Sequence, residues 1–111
     1  MGKREASMPR VRVRYFAHIA ELVGARGEEL LVPEGTTLAE LLLKRLPMEH
    51  PDVGQELVGV LFKVDEEGNP VLSGRYLVLV NGHSCTSLPE GLRYKLRDGD
   101  VISMFPPLGG G

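Results

Sequence analysis

One amphipathic helical segment, with strand-like segments on both sides of it, does most to limit the folds open to this chain. Its leucines recur at helical spacing, at Leu38, Leu41, Leu42 and Leu46. Thr36 or Thr37 is a suitable N-cap, and Glu40 stands three residues after Thr37, which is the spacing of a capping box. Pro47 lacks an amide hydrogen and is predicted to stop the helix. The apolar face of such a helix needs a layer to pack against, and the flanking segments supply a sheet.

Four segments have the pattern of strands. Residues 11–16 alternate apolar with mainly basic side chains, which predicts one buried face and one solvated face. Residues 28–32 predict a second strand, and the apolar run 76–80 predicts a central one. Residues 101–105 predict the last strand. Two strands therefore precede the helix and two follow it.

The connections between these segments carry clear turn signals. Residues 17–23 predict a short helix that Gly24 ends. Asn81-Gly82 predicts a tight reversal after the central strand. Asp98-Gly99-Asp100 predicts a further turn before the last strand.

The segment from Glu49 to Arg75 is the one whose pattern is ambiguous. Residues 51–57 are compatible with a helical turn, and residues 60–64 with a strand. Residues 65–70 form a polar, turn-forming cluster and predict an exposed loop.

The order strand, strand, helix, strand, strand predicts an α+β protein of the β-grasp type. In that topology a mixed sheet is covered by one main helix, and the first and last strands lie side by side. The length of 111 residues fits one domain. We expect residues 1–9 to form a flexible N-terminal arm, residues 10–105 the β-grasp domain and residues 106–111 an extended C-terminal tail.

Composition limits the classes of partner and site. The formal net charge of −2 gives no bulk attraction to nucleic acid or to an acidic membrane, so protein partners are expected. The chain shows neither a secretory signal nor a transmembrane run, and with Cys85 as its single cysteine a cytoplasmic protein without an intramolecular disulfide is expected. Cys85 lies in a polar turn region and is interpreted as an unreactive thiol. His18, His50 and His83 lack ligand spacing, so no metal site is predicted.

The tail carries the pattern most suggestive of chemistry. Pro106 and Pro107 cannot extend a ladder and should direct the chain away from the sheet. Gly109, Gly110 and Gly111 have no Cβ, so they suit a terminus that threads into a narrow cleft of another protein. A carboxylate there is a poor electrophile until ATP activates it, and no phosphate-binding loop in this chain could do so. A partner enzyme is therefore expected to activate it, unless the glycines are only a frayed end.

Two regions carry a resemblance to a known family. The first contains Tyr15-Phe16-Ala17 and Glu21-Leu22-Val23-Gly24. The second contains Val80-Asn81, Leu96, Asp98-Gly99-Asp100 and Phe105-Pro106-Pro107-Leu108-Gly109-Gly110-Gly111. On these motifs the chain resembles the small subunit of molybdopterin synthase, in the MoaD and ThiS group of ubiquitin-like sulfur carriers. Gly109 departs from the pattern, because the family often has Ala, Ser or Thr there, and the likeness excludes residues 1–9 and 47–75.

The resemblance implies a function for the C-terminal end. It implies that a ubiquitin-activating-type adenylyltransferase uses ATP to adenylate Gly111, which then becomes a thiocarboxylate. The sulfur would pass to a pterin precursor in the large subunit of molybdopterin synthase and form the dithiolene of molybdopterin. The chain would bind no cofactor itself and would be a non-catalytic carrier subunit. The tail residues that would lie in the partner's cleft are Pro106, Pro107, Leu108, Gly109 and Gly110.

The resemblance also implies a docking patch. Phe16 and Phe105 are its candidate residues, although core packing explains Phe16 equally well. Arg12 and Arg14 are interpreted as the solvated face of an edge or near-edge strand, or else as groups that dock an acidic partner.

Two other functions stay open on the sequence. One is a ubiquitin-like modifier whose C-terminal glycine is joined to lysines of target proteins. The other is a β-grasp interaction module with an inert tail. The first uses the same activated glycine as the carrier and differs only in the acceptor, which this sequence does not contain.

Overall fold

The computed structural model describes residues 8–107, and these form a five-stranded mixed sheet, a two-stranded sheet and a helical layer. The strands are β1 (Arg10–Tyr15), β2 (Gly27–Leu31), β3 (Phe62–Val64), β4 (Pro70–Leu72), β5 (Leu77–Val80), β6 (His83–Ser84) and β7 (Val101–Phe105). The helices are α1 (Ala17–Val23), α2 (Leu38–Glu40), a π-helical segment (Leu41–Arg45), α3 (Leu46–Glu49) and α4 (Gly54–Leu61). Two 3-10 turns span Cys85–Ser87 and Gly91–Arg93. We refer to residues 38–49 together as the main helix.

The five-stranded sheet has the order β2-β1-β7-β5-β6. The first strand, β1, pairs in parallel with the last, β7, and the other three pairings are antiparallel. This confirms the predicted β-grasp topology, in which the first and last strands are neighbours. The strands β3 and β4 form a separate antiparallel hairpin.

The alternation predicted for the first strand sets the two faces of the sheet. Val11, Val13 and Tyr15 of β1 are buried, and the arginines between them are exposed. The strand β1 lies second in the sheet, as expected for a near-edge strand. On the inner face the main helix places four fully buried leucines against the sheet, namely Leu38, Leu41, Leu42 and Leu46. Burial of each such side chain contributes roughly 2 kcal/mol, so this contact is the main link between the two layers.

The main helix begins as predicted and ends later than predicted. The Thr37 hydroxyl accepts the amide of Glu40 at 3.1 Å, and the Glu40 carboxylate accepts the amide of Thr37 at 2.9 Å. The prediction that Pro47 stops the helix is wrong, because the helix continues to Glu49. The Leu46 amide donates to the carbonyl of Leu41, five residues earlier, in the π-helical segment just before the proline. The wider turn relieves the clash that a proline ring meets in a regular α-helix.

The ambiguous segment holds more helix than its pattern indicated. The helix α4 runs to Leu61, so the strand predicted for residues 60–64 is wrong at its first two positions. Leu57 and Leu61 are four residues apart and both fully buried, and this helical spacing fixes the end of α4 in the core. The predicted turn at residues 65–70 is confirmed, with the Asp65 carboxylate accepting the amides of Glu67 and Asn69 at 2.9 Å each.

The remaining predicted turns are also present. Gly24 ends α1 with a φ of 82°. Asn81 and Gly82 have φ values of 53° and 86°, which are the left-handed angles of a tight hairpin turn between β5 and β6. In the part of the chain that the structure describes, no helix has the length and apolar character needed to cross a membrane.

Candidate functional site

The sheet ends where the predicted tail begins. The last ladder pair of β7 joins Phe105 to Leu77 of β5, and Pro106 and Pro107 beyond it are exposed and outside any strand. The remaining predicted tail residues, Leu108, Gly109, Gly110 and Gly111, lie outside the described residues, as do residues 1–7 of the predicted arm. Within that arm, Pro9 accepts the amide of Val32 through its carbonyl at 3.0 Å. The described chain thus leaves the sheet directly after Phe105.

The two predicted docking residues, Phe16 and Phe105, are in contact. Their ring centroids are 4.0 Å apart and their planes differ by 18°, so the rings are stacked. They meet because β1 and β7 are parallel neighbours in which Tyr15 lies opposite Met104. Both phenylalanines are half-buried. The pair therefore forms an apolar surface immediately beside the start of the tail, and its docking role stays a prediction.

Leu77 extends this surface and was not indicated by the sequence. Its side chain is 38% exposed, and it is the ladder partner of Phe105. The run 76–80 is apolar throughout, so its pattern does not separate the outer face from the core face. The register of β5 against β7 is the information that places Leu77 here. We call Phe16, Leu77 and Phe105 the aromatic patch.

Arg14 lies over the aromatic patch. Its guanidinium carbon is 5.1 Å from the centroid of the Phe16 ring, which is within the range of a cation–π contact. By contrast, Arg10 and Arg12 approach the carboxylate of Glu29 on β2, at 3.7 Å and 3.0 Å. Among the described residues Arg14 has no ion pair. Within residues 8–107 it is therefore the arginine of β1 without a carboxylate partner.

A polar cluster lies beneath the patch, on the inner side of β1. The Glu28 carboxylate accepts the Tyr15 hydroxyl at 2.5 Å and contacts Nε2 of His50 at 2.5 Å. Burial, then the hydrogen bond and charge of Glu28 and the charge of Glu49, raise the pKa of Tyr15. Tyr15 therefore remains a phenol and a donor at physiological pH. The cluster joins β1, β2 and the end of the main helix, and it is largely enclosed, so its role is to hold these elements together.

The cysteine and the histidines add no reactive centre to the described part of the chain. Cys85 is 1% exposed, which corrects its expected position in a polar turn, since its 3-10 turn packs the thiol into the core. Burial raises the pKa of the Cys85 thiol, which disfavours the reactive thiolate. No group of three or more His, Cys, Asp and Glu side chains among residues 8–107 is arranged to hold a metal ion.

Comparison with known proteins extends the likeness over nearly the whole chain. Residues 13–111 match the model of the ThiS family. The chain is 31% identical over 101 residues to small archaeal modifier protein 3 of Haloferax volcanii, covering 91% of this chain and 98% of that protein. It is 30% identical over 101 residues to the molybdopterin synthase sulfur carrier subunit of Homo sapiens, covering 91% of this chain and 93% of that protein.

The fold is likewise similar to a solved structure. The solution structure of small archaeal modifier protein 1 from Methanosarcina acetivorans superposes with a TM-score of 0.69 at 31% identity. The match covers 96% of this chain and 100% of that one. The sheet that carries the aromatic patch is thus part of a fold that this chain shares over 96% of its length.

Proposed function

The chain belongs to the ThiS family of ubiquitin-fold sulfur carriers and modifiers, and from this premise we propose that it is the sulfur carrier subunit of a molybdopterin synthase. In this proposal Gly111 is the loaded residue. A partner adenylyltransferase binds the chain and uses ATP to activate the Gly111 carboxylate. The large synthase subunit then receives the loaded chain and uses its sulfur to form the dithiolene of molybdopterin.

The loading chemistry proceeds in two displacements. The Gly111 carboxylate oxygen attacks the α-phosphorus of ATP, and pyrophosphate leaves with the electrons of the broken P–O bond. A sulfur nucleophile then attacks the acyl carbon of the adenylate, and AMP leaves to give the thiocarboxylate. This chain contributes the carbonyl group and its presentation, while the catalytic groups belong to the partners. It binds no cofactor of its own, and its expected site of action is the cytoplasm.

The main support for the proposal is the stack of Phe16 on Phe105, which lies where β7 ends and the predicted tail begins. A half-buried aromatic pair with Leu77 beside it offers an apolar anchor of the kind that dominates protein interfaces. Because Phe105 is followed directly by Pro106 and Pro107, a partner that binds the patch also receives the chain that leads to Gly111. Arg14 at the rim can pair with a carboxylate of that partner.

The experiment combines the full chain with an adenylyltransferase of this type, ATP and a sulfur donor, and follows the intact mass of the chain. We expect one terminal oxygen to be replaced by sulfur. Addition of the large synthase subunit and its pterin precursor should then return the chain to its original mass as molybdopterin forms. A variant lacking Gly110 and Gly111 is the matched control. Sulfur uptake by that variant would contradict the proposal.

A second function is favoured by a separate observation. The similar proteins include archaeal proteins named as modifiers, at 31% identity in both the sequence and the structural comparison. A modifier would use the same adenylated Gly111 but pass it to lysine side chains of other proteins. In a cell extract with ATP, slower-migrating adducts with lysine-linked Gly111 would support this function. An unmodified terminus under conditions that load a related carrier would instead support an inert module.

A further inference from the structure

The backbone turns sharply directly after the aromatic patch residue Phe16. Phe16 is extended, with a φ of −132° and a ψ of 151°. Ala17, the next residue, has a φ of 58°, in the left-handed region that residues with a Cβ seldom adopt. Such conformations persist where neighbouring contacts hold them. The corner between β1 and α1 therefore requires a contact that holds Ala17 at this angle.

The helix α1 after this corner lacks the usual capping groups. Phe16 stands at the N-cap position and makes no side-chain cap, and the first turn contains no acidic residue. The first amides of a helix have no partner within the helix, so they need one elsewhere. For Ile19 that partner is the hydroxyl of Tyr76, which accepts its amide at 3.2 Å.

Tyr76 contacts both sides of the corner. Its hydroxyl also approaches the carbonyl of Phe16, as a donor, at 3.4 Å. Tyr76 is 8% exposed and precedes β5, the strand that supplies Leu77 to the patch. One buried hydroxyl thus bonds the residue before Ala17 and a residue after it, from a position just before β5 that is distant in the sequence. This arrangement fixes the direction in which the chain leaves Phe16.

We propose that Tyr76 is the positioning residue of the aromatic patch, because its hydroxyl holds the left-handed corner at Ala17 and thereby keeps the Phe16 ring stacked on Phe105. Without the hydroxyl, the Ile19 amide is left without its partner and Ala17 is free to return to a negative φ. That rotation swings the backbone at Phe16 and separates the two rings. The effect of Tyr76 on partner binding rests on the docking role given to the patch in the proposed function, whereas its effect on the corner does not.

The test uses Tyr76→Phe, which removes the hydroxyl and keeps the ring. We expect the Ile19 amide to exchange with solvent about tenfold faster, and the ring-current shifts of Phe16 and Phe105 in the NMR spectrum to decrease. With the partner adenylyltransferase, we expect a KM for this chain about tenfold higher and an unchanged kcat, because the loss falls on binding. Unchanged ring-current shifts of Phe16 and Phe105 would overturn the inference, whatever the exchange rate of the Ile19 amide.

Adding Ala17→Gly to Tyr76→Phe tests whether Tyr76 positions the corner or only packs in the core. Glycine adopts a positive φ without a steric penalty, so the corner should persist in Tyr76→Phe/Ala17→Gly, and the ring-current shifts and KM should return most of the way to the native values. A purely structural role for Tyr76 predicts no such rescue, and its absence would count against the proposal. Ala17→Val should reproduce the effect of Tyr76→Phe with the hydroxyl present, because a β-branched residue is strongly disfavoured at this φ.

Tyr94→Phe is the matched control. It also removes a hydroxyl that forms a hydrogen bond, in this case to the Asp100 carboxylate at 2.9 Å, but not one that contacts the corner. We expect it to lower stability and leave both the patch shifts and KM unchanged. Because the NMR measurements need no partner, they decide the role of Tyr76 even if the native chain is never loaded with sulfur, an outcome that would contradict the proposed function alone.

Discussion

The two ends of the paired strands β1 and β7 differ in chemistry: one end has polar groups that are bonded within the domain, and the other has an apolar surface that is partly exposed. At the start of the strands, which we call the polar end, the Glu29 carboxylate pairs with Arg12, and the buried Asp100 accepts hydrogen bonds from Asn81 and Tyr94. At the finish, the aromatic patch is apolar and half-exposed. The polar groups of the first end are used within the domain, whereas the apolar area of the second end gains stability only when another surface covers it. The polar groups of one end are thus satisfied within the domain, whereas the other end keeps an apolar surface exposed.

The largest expected effect comes from removing the last two glycines of the tail that follows the aromatic patch. Deletion of Gly110 and Gly111 should abolish sulfur loading completely, since the activated carbonyl is lost, while the thermal midpoint of unfolding stays unchanged. Intact mass after incubation with the activating enzyme measures loading, and calorimetry measures the midpoint. A large fall in the midpoint would show that the tail also serves stability, and the division between the ends would then fail.

Truncation within the patch should affect binding much more than folding. Phe105→Ala removes one ring of the stack and is expected to raise the KM for the activating enzyme roughly 30-fold, about 2 kcal/mol, as for a central aromatic of an interface. Leu31→Ala is the control, since Leu31 is 44% exposed on β2, away from the patch. Steady-state kinetics should show little change for that variant. Equal effects of the two substitutions would mean that the patch is not the docking surface.

At the polar end we expect a substitution to affect folding much more than binding. Asp100 is 5% exposed, and its carboxylate also accepts the amide of Arg97 at 2.8 Å. Asp100→Ala leaves several donors unpaired and should lower the free energy of unfolding by about 2 kcal/mol, with the KM unchanged at a temperature where the variant is folded. Denaturant titration measures the first quantity. Asp100→Asn, which keeps one carbonyl acceptor, should lose less.

The smallest expected effect is the difference between two arginines of β1, Arg12 near the polar end and Arg14 near the aromatic patch. Arg14→Ala should raise the KM about fivefold, roughly 1 kcal/mol, because its charge is available to a partner. Arg12→Ala should change the KM little, since its guanidinium is bonded to Glu29 at 3.0 Å. Added salt should reduce the difference between the two variants, because it screens exposed charges. A salt-independent difference would assign the effect of Arg14 to packing on Phe16 instead.

Local signals were sufficient for most of the fold. The alternation along β1, the capping box at Thr37 and the Asn81-Gly82 turn each depend on a few adjacent residues, and all three are confirmed. The prediction for Pro47 is wrong because the π-helical turn that accommodates the proline depends on how the leucines of the main helix pack on the sheet. A pattern of sequence spacing does not contain that packing.

The candidate site was predictable only in part, for a similar reason. Phe16 and Phe105 were indicated by resemblance, and the predicted neighbourhood of the first and last strands is what brings their rings together. Leu77 and Tyr76 were not indicated, because their positions depend on the register of β5 against β7 and on a bond between residues far apart in the sequence. The docking role of the patch and the chemistry of Gly111 stay predictions.

The position of β7 between β1 and β5 also determines when the sheet can form during synthesis of the chain. Pairs such as Val13 with Ile102 join the beginning of the domain to its end, so the centre of the sheet closes only after nearly the whole chain has been synthesised. Folding rates fall as such long-range contacts dominate, and a growing chain on the ribosome cannot yet form them. A nascent chain without β7 lacks the completed sheet and the stack of Phe16 on Phe105, which is the docking surface in the proposed function. Under the proposed function, ATP would therefore be used only on fully synthesised chains.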